Sequence, residues 1–132
     1  MIETLGLERQ VIMPGFLGDI PSLMLALDLL VLPSNNEAFG IVLLEAMANS
    51  RVIVGSNSGA IPEIVRHGAS GLLFAPGDSD SLAEALLRLI RSPDDRVGMG
   101  EQGKRVFHER FRLEREVADT ERLYRSLLGR RT

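Results

Sequence analysis

The sequence predicts an α/β fold in which a parallel sheet of about four strands is flanked by helices and followed by a helical tail. Short aliphatic and β-branched runs alternate with segments of helical periodicity, as in consecutive βαβ units. Two of these runs, LLVL and VIV, are apolar at every position, which is typical of strands buried on both faces. A length of 132 residues suits one domain.

Strands and helices alternate through residues 1–91. Strands are predicted at residues 11–13, 29–32, 52–54 and 72–74. Helices are predicted at residues 21–27, 40–48, 61–66 and 82–90. Because a helix follows each strand, the connections are crossovers and the strands are expected to lie parallel.

Capping residues mark two of the later helix starts. Ser81 precedes Glu84 by three positions in a capping-box pattern, and Ser92 precedes Pro93, a residue favoured in the first helical turn. Beyond Pro93 the apolar residues recur at helical spacing, which predicts a pair of helices packed on the sheet. Residues 1–91 are therefore expected to form the βα units, and residues 92–132 the tail, of a single domain.

The distribution of charge argues against a nucleic-acid partner. The net charge is −3, and residues 1–100 hold 6 basic and 12 acidic side chains. Nucleic-acid binding needs a clustered basic face, which this composition does not supply. The chain has no cysteine, and its two histidines, His67 and His108, are far apart in sequence, so no metal site is expected.

The hydropathy pattern predicts a cytoplasmic protein whose membrane contact is at most peripheral, at the inner face. The first ten residues are polar, and no apolar stretch approaches the roughly 18 residues that a membrane span requires. Residues 101–132 hold 9 basic and 6 acidic side chains, which raises the alternative of a helix lying on a membrane surface. The interleaved acids favour ordinary solvated helices instead.

A glycine pattern at residues 98–103, GMGEQG, matches the dinucleotide fingerprint G-x-G-x-x-G. With Lys104 it also approaches the phosphate-binding loop pattern G-x-x-x-x-G-K. Both motifs work only when the glycines follow a strand and open a helix, whereas these follow a capped helix start. Arg105 also stands where magnesium binding needs a hydroxyl. The matches are interpreted as accidental.

Most candidate functional residues lie in one segment, PSNNEAFGIVLLEAMA, residues 33–48. This segment leaves a buried strand and enters a helix. This places it at the carboxyl end of the sheet, where open α/β folds bind ligands. The free N–H groups of a helix start favour a phosphate or diphosphate. The candidate amides are those of Phe39, Gly40, Ile41 and Val42.

Two glutamates, Glu37 and Glu45, bracket this turn with seven residues between them. They can contact different parts of one extended ligand, or Glu37 can be an ordinary acidic residue near a helix start. Glu45 lies on a helix that is apolar on nearly every side, so its carboxylate is expected to be partly buried and hydrogen-bonded. Either a ligand hydroxyl or a structural amide would satisfy it.

The stretch EAFGIVLLE resembles the E-x-F-G-x-x-x-x-E signature of family 4 glycosyltransferases, also called glycosyl transferases group 1. It sits within a longer similar pattern formed by VIMPGFLGDI, DLLVLPS, GAIPEIV and GLLFAPGD. The resemblance implies a GT-B fold, in which two Rossmann-like domains face each other across a cleft. It makes this chain a partial, amino-terminally truncated carboxy-terminal domain, the one that binds the nucleotide sugar.

The resemblance also implies roles for residues. Glu37 would meet the donor sugar near its reacting end as the catalytic residue, and Glu45 would bind the ribose hydroxyls. Gly15 and Phe16, in the turn after the first predicted strand, would lie by the base. The amides after the motif phenylalanine, with Phe39 itself, complete the implied donor site at Phe39, Gly40, Ile41 and Val42.

The implied activity is sugar transfer from a nucleotide-diphosphate sugar with retention at the anomeric carbon, without a cofactor or metal. The implied partners are the nucleotide sugar and the missing amino-terminal domain of the same enzyme. The diphosphate-gripping arginine and lysine of the family would lie in the missing part, so the isolated chain is expected to be inactive and to self-associate. The alternative is a non-catalytic nucleotide-sugar-binding or scaffold module with the same fold.

Overall fold

A computed structural model describes residues 1–129, in which a parallel sheet lies between two groups of helices. A 3-10 helix at Glu3–Leu5 precedes the first α-helix. The elements then follow as α1 (Ile20–Ala26), β1 (Leu29–Leu32), α2 (Ile41–Ala48), β2 (Val52–Ser56), α3 (Ile61–Ile64), β3 (Gly71–Phe74), α4 (Ser79–Arg91), α5 (Pro93–Arg110) and α6 (Leu113–Leu128). This alternation confirms the predicted α/β fold with a helical tail.

The sheet has the order β1-β2-β3, and both strand pairs are parallel. Leu29 is in register with Val52, and Ile53 is in register with Gly71. The central strand β2 is buried at every residue, as its continuous apolar run predicts. Alternate residues of β2 point to opposite faces of the sheet, so each face has its own core.

Two hydrophobic cores cover the faces of the sheet. One contains Met24, Leu43, Ala46, Met47, Ile53, Ile61, Ile64, Val65 and Val106. The other contains Val52, Val54, Leu72, Phe74, Leu89 and Met99. The long helix α5 contributes Met99 to one core and Val106 to the other, so it joins the two layers.

The strand predicted at residues 11–13 does not form, and the described part of the sheet has three strands. These residues have no regular structure, and Ile12 is 83% exposed. A strand is stable only when a neighbouring strand satisfies its backbone groups. The β-branched composition of the segment was correctly recognised, but no described strand lies beside it.

The predicted packing of both tail helices on the sheet is correct for α5 and wrong for α6. No residue of α6 is buried, although Leu113, Val117 and Tyr124 recur at the spacing of an apolar stripe. The chain changes direction at Arg112, whose backbone is extended, and α6 continues away from the sheet. The periodicity correctly indicated a helix. The last predicted tail residues, 130–132, lie outside the described part.

The helix starts also show one difference from the prediction. Helix α4 is capped by Asp78, whose carboxylate accepts hydrogen bonds from the N–H groups of Asp80 and Ser81, and not by the predicted Ser81. An ionised carboxylate is a strong acceptor at a helix N-terminus, and the helix begins three residues earlier than predicted. Helix α5 begins as predicted, with Ser92 as N-cap before Pro93.

Candidate functional site

The site suggested by the sequence lies where β1 ends and α2 begins. Gly40 is the N-cap of α2, is buried and has a left-handed backbone with φ of 76°. No side chain caps this helix. The N–H groups of Ile41 and Val42 belong to its first turn, where donors have no partner inside the helix. They are therefore available to an external acceptor such as a phosphate oxygen.

Glu37 lies next to this helix start. A Cβ atom placed on Gly40 would be 3.3 Å from Glu37 Cγ, so the glutamate side chain packs over the glycine. Glu37 is half-buried, and no donor among residues 1–129 is bonded to its carboxylate. Phe39 and Ile41 extend into solvent, being 50% and 66% exposed. An acidic group and free amides thus border the same surface.

Glu45 lies in a pocket of about 240 Å³ between α1, α2 and α5. The pocket is mostly apolar and is lined by Ile20, Pro21, Met24, Leu44, Glu45, Ala48, Asn49 and Phe107. Asn49 donates from Nδ2 to the Glu45 backbone carbonyl at 2.9 Å, not to the carboxylate. The half-buried carboxylate has no donor among residues 1–129, so the structural-amide alternative finds no support there.

A larger cleft of about 440 Å³ begins at Phe39 and Leu44 and runs to the corner between α5 and α6. Its far wall contains Arg110, Phe111 and Arg115. Neither Glu37 nor Glu45 lines this cleft.

The turn itself is held by the last residue of β2 and by the loop that follows it. Ser56 Oγ donates to the Ser34 carbonyl, and Ser58 Oγ donates to the Asn35 carbonyl. The N–H of Ala60 donates to the Glu37 carbonyl at 2.9 Å. The sequence did not predict these contacts, because the partners are more than twenty residues apart and the two serines belong to no recognisable sequence motif. Of this loop, only Gly59 and Ala60 lie in the GAIPEIV segment that resembles the family pattern.

Gly15 and Phe16 are not brought to the start of α2. They lie in an exposed segment without regular structure, in which Phe16 is 97% exposed. Gly15 has a φ of 73°, but residues 14–16 form no hydrogen-bonded turn. Because the adjoining strand does not form, nothing in the described chain fixes this segment against α2.

Among residues 1–129, no group of three or more histidine or acidic side chains is arranged to hold a metal ion. No helix in the same range has the length and apolar character needed to cross a membrane.

Comparison with known proteins identifies the family. The model of the family described as glycosyl transferases group 1 matches residues 1–106. The chain belongs to this family. This match confirms the family that the EAFGIVLLE signature predicted. The fold is that of a GT-B carboxy-terminal domain.

Two relatives show how far the similarity extends. N-acetyl-alpha-D-glucosaminyl L-malate synthase of Bacillus anthracis is 34% identical over 128 residues, covering 97% of this chain and 34% of the relative. A lipopolysaccharide core biosynthesis mannosyltransferase of Rhizobium leguminosarum is 38% identical over 117 residues, covering 86% of this chain and 33% of the relative. The chain thus spans only 34% and 33% of the length of these curated relatives.

Solved structures give the same result. HepE of Anabaena, solved in complex with UDP and glucose, superposes with a TM-score of 0.86 at 32% identity, covering 97% of this chain and 34% of HepE. The carboxy-terminal domain of a group 1 glycosyl transferase from Francisella tularensis superposes with a TM-score of 0.78 at 32% identity. It covers 85% of this chain and 59% of that domain.

Proposed function

We propose that this chain is the donor-binding part of a retaining glycosyltransferase, which moves a sugar from a nucleotide-diphosphate sugar to a glycan, lipid or small-molecule acceptor. The observation that carries the proposal is Glu45, a half-buried carboxylate in a pocket without a protein donor. A carboxylate that is partly removed from water is stabilised by hydrogen bonds, and vicinal ribose hydroxyls would supply two. HepE, which has been solved with UDP and with UDP-glucose, supports a nucleotide-sugar ligand.

The start of α2 supplies the remaining donor contacts in this proposal. The free amides of Ile41 and Val42, together with the positive end of the helix dipole, would stabilise the diphosphate as the sugar departs. Glu37, packed beside Gly40, would contact the sugar near its anomeric carbon. No nucleophile is assigned, so retention would follow from attack on the same face that the diphosphate leaves. The amino-terminal domain would bind the acceptor.

Paired substitutions in the full-length enzyme test these roles. Glu45→Ala should weaken UDP binding by about tenfold or more, the loss expected for hydrogen bonds to a charged group. Glu37→Ala should instead lower kcat by roughly 100-fold with little change in nucleotide affinity, because its partner is the reacting sugar. Glu84→Ala, which removes an exposed glutamate of α4, is the matched control and should behave as wild type.

Calorimetry with UDP, GDP and ADP sugars, combined with steady-state kinetics, provides both measurements. Wild-type constants in both variants would contradict the assigned roles. A full-length enzyme that binds none of these donors would contradict the proposed function as a whole and favour a scaffold role.

A further inference from the structure

We propose that the loop following β2, residues 57–60, is a positioning element that sets the location of Glu37 for the transfer reaction; this inference rests on the proposed function. Residues 33–40 have no helix or strand of their own. Their backbone carbonyls accept hydrogen bonds from Ser56, Ser58 and Ala60, and that of Gly40 also accepts one from the N–H of Leu43 in α2. Ser56 is the last residue of the central strand, so the turn is attached to a strand that is buried at every residue.

Gly59 completes this attachment by close contact. Its φ is 57°, and a Cβ atom placed on it would overlap the Glu37 carbonyl oxygen and lie 2.7 Å from the Glu37 nitrogen. The opposing atoms are backbone, which cannot rotate away as a side chain can. Because ordinary van der Waals contact begins near about 3.5 Å, any side chain at position 59 requires the backbones of residues 59 and 37 to separate by about 1 Å.

A displacement of that size matters for a catalytic group. Misplacement by about 1 Å can reduce a reaction rate by roughly 100-fold even when the change is remote from the chemistry. The same displacement leaves the Glu45 pocket intact, because that pocket is formed by α1, α2 and α5. Disturbing residues 57–60 should therefore reduce turnover while nucleotide affinity is kept.

Gly59→Ala in the full-length enzyme is the direct test. We expect kcat to fall by roughly 100-fold with an unchanged Kd for UDP. Gly68→Ala is the matched control, because Gly68 has a left-handed φ of 75° with no atom within 4 Å of an added Cβ. It introduces the same backbone strain without touching Glu37, and should keep wild-type turnover.

A second substitution removes a contact without adding atoms. Ser58→Ala deletes the hydroxyl that donates to Asn35 and should lower kcat by about tenfold, whereas Ser58→Thr keeps a hydroxyl and should restore it. In the 132-residue chain, Gly59→Ala should also shift the NMR resonance of the Glu37 amide, and Gly68→Ala should not.

The outcomes separate this inference from the proposed function. Absence of sugar transfer by the wild-type enzyme contradicts the proposed function. Normal turnover by a folded Gly59→Ala variant of an active enzyme, equal losses in Gly59→Ala and Gly68→Ala, or an unmoved Glu37 resonance each overturn the positioning role alone.

Discussion

Gly40 shows how one residue serves both the fold and the proposed site. Its φ of 76° is a conformation in which a side chain costs about 1–2 kcal/mol, and an added Cβ would lie 2.9 Å from Leu43 Cδ1. The leucine methyl can move, so we expect Gly40→Ala to fold, with the free energy of unfolding lowered by about that amount. Valine would add the strain of a branched side chain, so alanine separates the two effects better.

The same substitution should reduce donor affinity, because the added methyl group lies beside Glu37 and the first-turn amides. We expect the Kd for UDP-glucose to rise by about tenfold in the full-length enzyme, with Gly68→Ala as the control for backbone strain. Urea unfolding and calorimetry on both variants check this prediction. Equal donor affinities in the two variants would mean that Gly40 has a structural role only.

The residues of the candidate site could be predicted from the sequence, but the contacts that hold them in place could not. Glu37, Gly40 and Glu45 stand out because their spacing along one turn and one helix is a local property. The contacts of Ser58 and Gly59 with that turn depend on how two loops meet at the carboxyl edge of the sheet. That arrangement follows from tertiary packing, which no short-range pattern encodes.

At the scale of elements, the GMGEQG segment lies inside α5 and has a packing role. A Cβ atom on Gly100 would overlap the Ser50 carbonyl oxygen and lie 2.9 Å from the Ser50 carbonyl carbon. Ser50 has a φ of 57° and lies in the turn between α2 and β2. The glycine thus lets α5 approach this turn closely.

This contact predicts opposite effects for two glycines of one helix. Gly98→Ala should raise the free energy of unfolding by about 0.5–1 kcal/mol, because alanine favours helix and an added Cβ meets no atom within 4 Å. Gly100→Ala should lower it by about 1–3 kcal/mol, because overpacking against Ser50 outweighs that helix preference. Chemical denaturation of the 132-residue chain measures both. Equal stabilisation by the two substitutions would contradict the close approach.

The elements predicted correctly are those whose sequence pattern and partners agree. The apolar runs at residues 29–32, 52–54 and 72–74 became strands because each pairs with a neighbour in the described sheet. Residues 11–13 have a similar composition but form no strand, because no neighbouring strand in the described sheet pairs with them. Helix α6 was predicted from its periodicity, but periodicity does not state which surface covers the apolar side.

At the scale of the whole molecule, the described sheet ends at β1, which has no neighbouring strand on its outer side. In a doubly wound sheet of order 3-2-1-4-5-6, loss of the first two strands separates the third from the fourth. The order β1-β2-β3 agrees with the last three positions of that series, and β1 lies at the open edge. Residues 11–13 do not pair beside β1, because that segment forms no strand.

Self-association of the chain stays a prediction, and the structure supplies a physical reason for it. Strand β1 is an apolar edge with unpaired backbone groups, and such an edge tends to recruit another strand. Ile12, Met13 and Phe16 are among the most exposed large apolar side chains, so exchange of this segment between two copies would bury them. We therefore expect the mass of the 132-residue chain, measured by light scattering, to exceed that of a monomer.

A double substitution tests the exchange route. Ile12→Lys with Met13→Lys should lower the dimer population by about tenfold, because charged side chains block edge pairing. Ile90→Lys is the control, since Ile90 is an exposed apolar residue of α4, a helix that packs beside β3 at the opposite edge. The chain should show no sugar transfer in either state, because pairing at β1 does not supply the diphosphate-binding residues that the family resemblance places in the missing part. A folded monomer at all concentrations, or a chain that turns over a nucleotide sugar by itself, would contradict this prediction.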